Sequence, residues 1–223
     1  MAASPYASSR PRRLIVVVGP ATEIGKTWVA SRLLRELRAE GFTVAARKPA
    51  QSFSPDDSST DAHHLSSATG EEPTDVCPRH RWFPVPMAPP MAADALGRDP
   101  FTIAELAAEI SWPLPTPDIA MVECAGGVRS PHAIDGDAIS IIEELQPDLV
   151  LLVADAGLGT INAVRLSLEA IDRGAHVATP IVVLNRFDPS EELHRRNRDW
   201  LEANLSVDVL CSVPAVMNRI RPR

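Results

Sequence analysis

Short apolar runs alternate with amphipathic segments along most of this 223-residue chain. Apolar runs typical of buried strands lie at 14–18, 42–49, 118–127, 148–157, 179–187 and 207–214. Helical spacing of apolar positions marks the segments 26–40, 61–69, 102–110, 137–145, 161–174 and 190–205, the last with Ser190 as its predicted N-cap. Strands that alternate with helices predict an α/β fold: a single doubly wound, mostly parallel sheet with helices on both faces.

Three segments fall outside this alternation. Residues 50–60 are polar and rich in Ser and Asp, which predicts a loop, and residues 71–100 are rich in proline. A loop as long as 71–100 in a compact domain is usually functional or mobile. Residues 1–13 contain no apolar core of a signal peptide, so we expect a flexible tail there and one domain over residues 14–223.

The stretch 16–27 has the order of a phosphate-binding loop. A buried-strand pattern is followed by a loop and then by Gly25-Lys26-Thr27, which opens an amphipathic segment. Backbone N–H groups at such a helix start bind phosphate oxygens, the lysine reaches the terminal phosphates, and the threonine hydroxyl ligates Mg²⁺. The common pattern has its first glycine where this chain has Pro20, and Gly19 stands one residue earlier.

Other chemically active residues follow predicted strands, where open parallel sheets bind their ligands. Glu123 ends one strand and precedes a glycine-rich turn, so its carboxylate is placed to hold Mg²⁺ or a water. Lys48 ends another strand and can present a cation to a phosphate or an anionic intermediate. Asp56, Asp57 or Asp61 can complete a metal site with Thr27 and Glu123. Asn185 can pair with a base edge, and residues 157–162 form a second candidate anion site.

Composition narrows the class of protein. The chain is 45% hydrophobic and 23% charged, as in ordinary globular domains, and its net charge of −7 disfavours general nucleic-acid binding. Three scattered cysteines show no metal-ligand spacing and predict reduced thiols in a cytoplasmic protein. No apolar run is long enough to span a membrane, so no membrane partner is expected.

Seven segments together resemble the dethiobiotin synthetase family, in uninterrupted order from Leu14 to Pro214. They are ATEIGKT (21–27), KPAQS (48–52), TDA (60–62), PMAPPMAA (86–93), VECAGG (122–127), ADAGLGTINAVRLSLEAI (154–171) and VVLNR (182–186). The phosphate loop is shared with related NTPases. The lysine-proline strand end, the Glu-x-Ala-Gly-Gly turn and the Gly-Leu-Gly-Thr-Ile-Asn segment are more specific in combination.

The resemblance implies a homodimeric, ATP-dependent ligase of the P-loop NTPase type that uses Mg²⁺. Its substrates are ATP, CO₂ or bicarbonate, and the diamine 7,8-diaminononanoate, which it closes to a ureido ring through a carbamate and a carbamic–phosphoric anhydride. Lys48 and Lys26 are implied as catalytic, and Thr27, Asp61 and Glu123 as metal ligands. The implied nucleotide-binding residues are Glu23, Ile24, Gly25, Lys26, Thr27, Trp28, Asp61, Glu123, Gly126, Asn185, Arg186 and Pro214. Ser52 is implied to contact the substrate, and Gly159, Thr160 and Asn162 to receive its carboxylate across the dimer.

Four positions, in three places along the chain, differ from the residues usual in this family. Pro20-Ala21 replaces Thr followed by Asp or Gly, Cys124 replaces a glycine, and Phe53 replaces the glycine that follows the substrate-contacting Ser or Thr. A divergent paralogue with another substrate, a nucleotide-switched partition or scaffold ATPase, and a homologue that binds nucleotide without turnover are the alternatives. The partition or scaffold ATPase is disfavoured, because such proteins commonly carry an additional lysine near the start of the phosphate loop and residues 20–22 contain none.

Overall fold

The protein is built around a parallel sheet of six strands. The computed structural model describes residues 6–7, 10–174 and 180–222. The strands of the sheet are β1 (Arg13–Val18), β2 (Val44–Arg47), β3 (Ile119–Glu123), β4 (Leu149–Asp155), β5 (Ile181–Asn185) and β6 (Val209–Leu210). Their order across the sheet is β6-β5-β4-β1-β3-β2, and every neighbouring pair is parallel. Beside β1 the chain changes the side of the sheet to which it adds strands: β2 and β3 lie on one side of β1, and β4 to β6 lie on the other. Sheets of this kind bind ligands at such a switch point.

Helices cover both faces of this sheet. They are α1 (Lys26–Ala39), α2 (Asp61–Thr69), α3 (Pro73–Val76), α4 (Pro89–Ala95), α5 (Ile103–Ala108), α6 (Ala138–Leu145), α7 (Thr160–Gly174), α8 (Glu192–Asn204) and α9 (Val213–Ile220). Alternate residues of β1 enter different cores, as the pleat requires. Ile15 and Val17 pack with α1, α2 and α9, whereas Val16 and Val18 pack with α5, α6 and α7. The predicted doubly wound α/β fold is therefore confirmed.

The proline-rich segment 71–100 is not one long loop, which corrects the sequence-based expectation. Besides α3 and α4 it contains a 3₁₀ turn at Arg79–Arg81 and a short strand at Trp82–Phe83, which pairs with Gln51–Ser52 in the segment also predicted as loop. Prolines stand in the first turn of both helices, where the missing N–H has no intrahelical partner to lose. Buried Trp82 and Phe83 fix the segment to the body of the protein.

Part of the predicted amino-terminal tail contacts the rest of the chain, and residues 1–5 and 8–9 lie outside the described residues. Tyr6–Ala7 pairs antiparallel with Trp112–Pro113, and Arg10 and Arg12 form ion pairs with Asp148 and Asp118, both at 3.1 Å. The flexible tail over residues 1–13 and the single domain over residues 14–223 both stay predictions. None of the helices within the described ranges has the length and apolar character needed to cross a bilayer.

Two further expectations near the carboxyl end were wrong or incomplete. Helix α8 is capped at Glu191, not at Ser190, whose hydroxyl instead donates to Asp188 at 2.6 Å. Helix α9 was not predicted: its N-cap Ser212 accepts the N–H of Ala215, and its apolar face is buried against α1.

Candidate active site

One open cavity of about 1080 Å³ lies at the carboxyl ends of β1, β2 and β3. The loop before α1 forms its floor, the start of α2 and the turn after β3 form two sides, and residues 86–89 form a third. Among the residues named from the sequence, it is lined by Glu23, Gly25, Lys26, Thr27, Trp28, Lys48, Ser52, Phe53, Asp57, Asp61, Glu123, Gly126 and Arg186. The topology thus brings together residues that lie up to 163 positions apart in the chain.

The phosphate loop has the left-handed backbone conformations that its sequence predicts. Gly25 has φ +89°, and a Cβ atom there would lie 2.1 Å from the Asn185 amide nitrogen, so only glycine fits. That amide donates to the Ile24 carbonyl at 2.8 Å and ties the loop to the end of β5. Glu23 also has positive φ (59°), a conformation that side chains rarely adopt.

Lys26 lies along the floor of the cavity. Its ammonium group donates to the carbonyls of Ala21 and Gly126, both at 2.7 Å, so it links the phosphate loop to the turn after β3. Burial, followed by the nearby Lys48 charge, lowers the pKa of Lys26 to about 8. A phosphate group at this position would favour the charged form and compete with the two carbonyls.

A cluster of four side chains lies beside the loop. Thr27 Oγ1 lies within hydrogen-bonding distance of Asp61 Oδ1 (2.9 Å) and of Glu123 Oε1 (2.8 Å). Its single proton is donated to one carboxylate or the other in turn. Lys48 Nζ lies 2.7 Å from Glu123 Oε1 and 2.8 Å from Asp61 Oδ2. Lys48 and Glu123 are 2% and 1% exposed, so the cluster is a buried electrostatic unit open to the cavity on the Asp61 side.

Burial and charge act against each other within this cluster. Burial disfavours the ammonium form of Lys48, but the adjacent carboxylates outweigh it and raise the pKa of Lys48. Burial raises the pKa of Glu123 despite the Lys48 ammonium. The pKa of Asp61 is lowered, because Lys48 and Thr27 together overcome its burial. Lys48 therefore carries a positive charge that the two carboxylates hold in place.

Thr27, Asp61 and Glu123 fit a magnesium ion. Their hydroxyl and carboxylate oxygens are hard donors, and Mg²⁺ is usually held by one or two carboxylates together with substrate phosphates and water. Glu123 Oε2 is buried and has no hydrogen-bond partner, which leaves one carboxylate oxygen free for a cation. No larger group of His, Cys, Asp or Glu that could hold a metal occurs within the described ranges, so the phosphates would supply the other ligands.

One side of the cavity combines apolar and polar groups. The Phe53 backbone N–H donates to the Phe83 carbonyl (3.1 Å), and the Phe53 ring packs edge-on against Trp82 at 6.1 Å. Ser52 Oγ, one residue earlier, is buried without a hydrogen-bond partner. Met87, 47% exposed, continues the apolar wall. This wall offers an alkyl chain a contact surface, with one unsatisfied hydroxyl at its inner end.

A second cavity of about 510 Å³ lies on the other side of the phosphate loop. Trp28, 60% exposed, and Arg186 line both cavities, and Asn185 lines only the second. Arg186 donates to the Glu23 carbonyl at 2.9 Å and pairs with Asp155 at 2.9 Å. The end of β5 therefore supports the loop and also forms the wall of a separate, more apolar pocket.

Several residues named from the sequence lie outside the main cavity. Gly159, Thr160 and Asn162 are at the start of α7 and line neither cavity, and Ile24 and Pro214 line neither as well. Thr160 Oγ1 is buried without a hydrogen-bond partner. Of the three aspartates considered for the metal, Asp61 joins Thr27 and Glu123.

Sequence reasoning missed part of the cavity wall. Ser31 and Arg35 line the cavity one and two turns after Thr27 on α1, and their spacing of four residues places all three on one helix face. That periodicity was the available signal. His64 and residues 86–89 also contribute, although the sequence marked 71–100 only as a functional or mobile segment.

His132 supports the turn after β3 (residues 124–130, the glycine turn). Its Nε2 accepts the Ala125 N–H at 2.8 Å, so the ring proton is on Nδ1 and is donated to the Ser130 carbonyl at 3.0 Å. Burial lowers the pKa of His132 to about 4 from its ordinary value of 6.5, with Lys48 and Lys26 opposing and Asp137 favouring the charged ring. The imidazole is therefore neutral at neutral pH.

Acid should weaken the fold through His132. Between pH 6.5 and about 4 the unfolded chain protonates this ring and the folded chain does not, so stability falls as pH falls. The loss is about 3 kcal/mol, at about 1.4 kcal/mol per pH unit. Urea unfolding from about pH 7 to about pH 4 measures it, with His132→Gln as the control expected to show a smaller loss. Equal losses in both proteins would exclude His132 as the cause.

Comparison with known proteins gives these residues a family context. A family model described as an AAA domain (AAA_26) matches residues 13–222. An ATP-dependent dethiobiotin synthetase BioD of Streptomyces coelicolor is 30% identical over 210 residues, covering 94% of this chain and 87% of the relative. A protein of the same name from Anaeromyxobacter dehalogenans is 36% identical over 189 residues, covering 81% and 79%.

Solved structures support the fold. A plasmid partition protein from Borrelia burgdorferi superposes with a TM-score of 0.54 at 10% identity, covering 95% of this chain and 96% of that one. A DUF1611 family protein from Anabaena variabilis gives 0.53 at 14% identity and covers 97% of this chain, which spans about three fifths (61%) of that structure. These similarities concern the fold alone. The sequence matches carry the family: with its AAA domain over residues 13–222, this chain belongs to the dethiobiotin synthetase family.

Proposed function

We propose that the protein is an ATP-dependent cyclo-ligase that converts 7,8-diaminononanoate and CO₂ to dethiobiotin, releasing ADP and phosphate. The observation that carries this proposal is the buried Lys48, held between Asp61 and Glu123 beside a phosphate loop, in a chain of the dethiobiotin synthetase family. Phosphoryl transfer depends more on positioning and charge neutralisation than on covalent catalysis, and this cluster supplies both.

The reaction forms and breaks bonds in three steps. One substrate amine adds to CO₂ and loses a proton to give a carbamate. A carbamate oxygen then attacks the γ-phosphorus of ATP, which releases ADP and gives a carbamic–phosphoric anhydride. The second amine attacks the carbamoyl carbon, loses a proton and expels phosphate, which closes the ureido ring.

The residues of the cluster, the phosphate loop and Ser52 have distinct parts in these steps. Lys26 neutralises the β- and γ-phosphates, and the backbone of residues 23–28 wraps the triphosphate. The Lys48 ammonium stabilises the carbamate and the phosphoryl group in transfer. Thr27, Asp61 and Glu123 would hold Mg²⁺, which neutralises phosphate charge when bound. Ser52 Oγ, buried without a partner, would hydrogen-bond the substrate.

The second cavity is proposed to take the nucleoside end of ATP. It adjoins the phosphate loop through Gly25 and Trp28, and Asn185 and Arg186 lie in its wall. The Asn185 amide nitrogen donates one of its two hydrogens to the Ile24 carbonyl, which leaves its second N–H to donate and its carbonyl oxygen to accept from a base.

A cytoplasmic homodimer is the proposed state of the enzyme. Leu158 (93% exposed) and Leu166 (59% exposed) flank Gly159, Thr160 and Asn162, which are proposed to bind the substrate carboxylate of the partner subunit. An apolar helix start of this kind is better covered than left in water. All three cysteines are free thiols, which accords with a reducing compartment.

The proposed activity is tested by incubating the protein with Mg·ATP and bicarbonate, with and without 7,8-diaminononanoate. Phosphate release that depends on the diamine, together with dethiobiotin identified by mass, is the expected result. Tight nucleotide binding with neither product nor stimulation would contradict it and would favour a divergent paralogue acting on another substrate.

Replacing Phe53 by glycine tests whether this ring limits the substrate site. Because the ring is fixed by Trp82 and lines the cavity, its removal should widen the wall beside Ser52. We expect the KM for the diamine to rise about tenfold, since the loss of about 1.4 kcal/mol of substrate contact corresponds to tenfold, and the KM for ATP to stay constant. Steady-state kinetics with each substrate varied in turn measures both. An equal change in the two values would show a general disturbance of the site.

A further inference from the structure

The glycine turn is the element that joins the carboxylate cluster to the phosphate loop. Glu123 stands directly before the turn. Within the turn, the Gly126 carbonyl accepts a hydrogen bond from the Lys26 ammonium. A Cβ on Gly127 would lie 2.6 Å from the Pro20 carbonyl oxygen, so the turn packs directly against the loop. A shift of the turn therefore displaces the partner of Lys26 and presses on the phosphate loop.

His132 holds this turn from behind. Its ring is 2% exposed and spans from the Ala125 N–H to the Ser130 carbonyl. Within the part of the chain that the structure describes, Nε2 of His132 is the one acceptor of the Ala125 N–H. Ser130 also accepts the Gly127 N–H through its hydroxyl at 2.9 Å, which closes the turn on the side that His132 anchors.

We propose that His132 is a positioning residue for nucleotide binding. By accepting the Ala125 N–H it fixes the glycine turn, and through Gly126 it fixes the place from which Lys26 reaches the phosphates. This inference rests on the proposed binding of ATP at the phosphate loop. His132 does not line the cavity, so its effect on the nucleotide is indirect.

Three substitutions separate this role from plain packing. In His132→Gln the side-chain oxygen can replace Nε2 as acceptor for Ala125. In His132→Asn the shorter side chain can reach Ser130 in place of Nδ1 but not Ala125. In His132→Leu both hydrogen bonds are lost and the Ala125 N–H stays buried without an acceptor.

Calorimetric titration with Mg·ADP, well below the unfolding temperature of each variant, measures the effect on the folded protein. We expect His132→Leu and His132→Asn to bind about tenfold more weakly than wild type, within the range seen when a supporting hydrogen bond is removed, and His132→Gln to bind like wild type. A role in stability alone would lower the unfolding temperatures without this order of affinities.

The outcomes also separate this inference from the proposed function. Wild-type affinity in His132→Asn overturns the positioning role and leaves the proposed function intact, and this variant carries the test if His132→Leu does not fold. Equal weakening in His132→Gln and His132→Asn also overturns it, because the acceptor would then be irrelevant. A wild-type protein that does not bind Mg·ADP overturns the proposed function and the inference with it.

Discussion

Replacing Lys48 by methionine is expected to lower turnover by about 10²- to 10³-fold, the usual cost of removing one donor that stabilises transition-state charge. Lys48 is proposed to act on the carbamate and on the phosphoryl group in transfer, and its ammonium lies 2.7 Å from Glu123 and 2.8 Å from Asp61. Nucleotide affinity should change little, because Lys26 and the backbone of the phosphate loop are unaltered.

The substitution also removes the cation that balances a buried carboxylate. Glu123 is 1% exposed, so loss of Lys48 leaves its charge without a partner, which costs about 3–5 kcal/mol when a buried ion pair is broken. Protonation of Glu123 relieves part of this cost, since burial already raises its pKa. Bound Mg²⁺ would replace the missing charge and should therefore raise the unfolding temperature of Lys48→Met more than that of wild type.

The measurements for Lys48→Met are product formation, Mg·ATP affinity and unfolding temperature with and without Mg²⁺. Loss of turnover with retained affinity is the expected combination. Unchanged turnover would remove Lys48 from the mechanism, and loss of both turnover and affinity would place it in nucleotide binding. Arg47→Met is a matched control: Arg47 is also buried and ion-paired, but it contacts Glu71 and does not line the cavity.

The residues that meet in the cavity could be predicted because parallel strands bring their carboxyl ends to one edge. Lys48 follows one strand and Glu123 ends another, both strands being read directly from their apolar pattern, and Asp61 starts a helix whose bounds were predicted correctly. Thr27 lies two residues after Gly25, a position beside Asn185 where only glycine fits. The strand order β1-β3-β2 and the starts of α1 and α2 then bring the four side chains within hydrogen-bonding distance.

Residues that act through contacts distant in sequence were harder to predict. The proline-rich segment is folded because Trp82 and Phe83 are buried in the two hydrophobic cores. Their partners are distant in sequence, so no local pattern indicates these contacts. His132 has no periodic or motif signal, since its partners are backbone groups in the preceding turn. Asn185 was predicted as a base reader, and its bond to the Ile24 carbonyl depends on a tertiary contact across 161 residues.

Replacing Glu123 by glutamine should weaken the proposed metal site without removing the local hydrogen bonds. Glu123 Oε1 accepts from both Thr27 and Lys48, and a glutamine oxygen can keep these two contacts. The amide NH₂ would then stand in place of Oε2, the buried oxygen without a partner, and an NH₂ group does not coordinate Mg²⁺.

We expect turnover of Glu123→Gln to fall about 100-fold at low Mg²⁺ and to recover in part as Mg²⁺ is raised, because loss of metal-site support typically costs 10- to 100-fold in affinity. Turnover measured over a Mg²⁺ series tests this. Glu109→Gln is the control, since Glu109 pairs with Arg81 outside the cavity and should leave the Mg²⁺ dependence unchanged. A wild-type Mg²⁺ dependence in Glu123→Gln would show that Glu123 Oε2 is not a metal ligand, and the carboxylate would then act only by holding Lys48 and Thr27 in place.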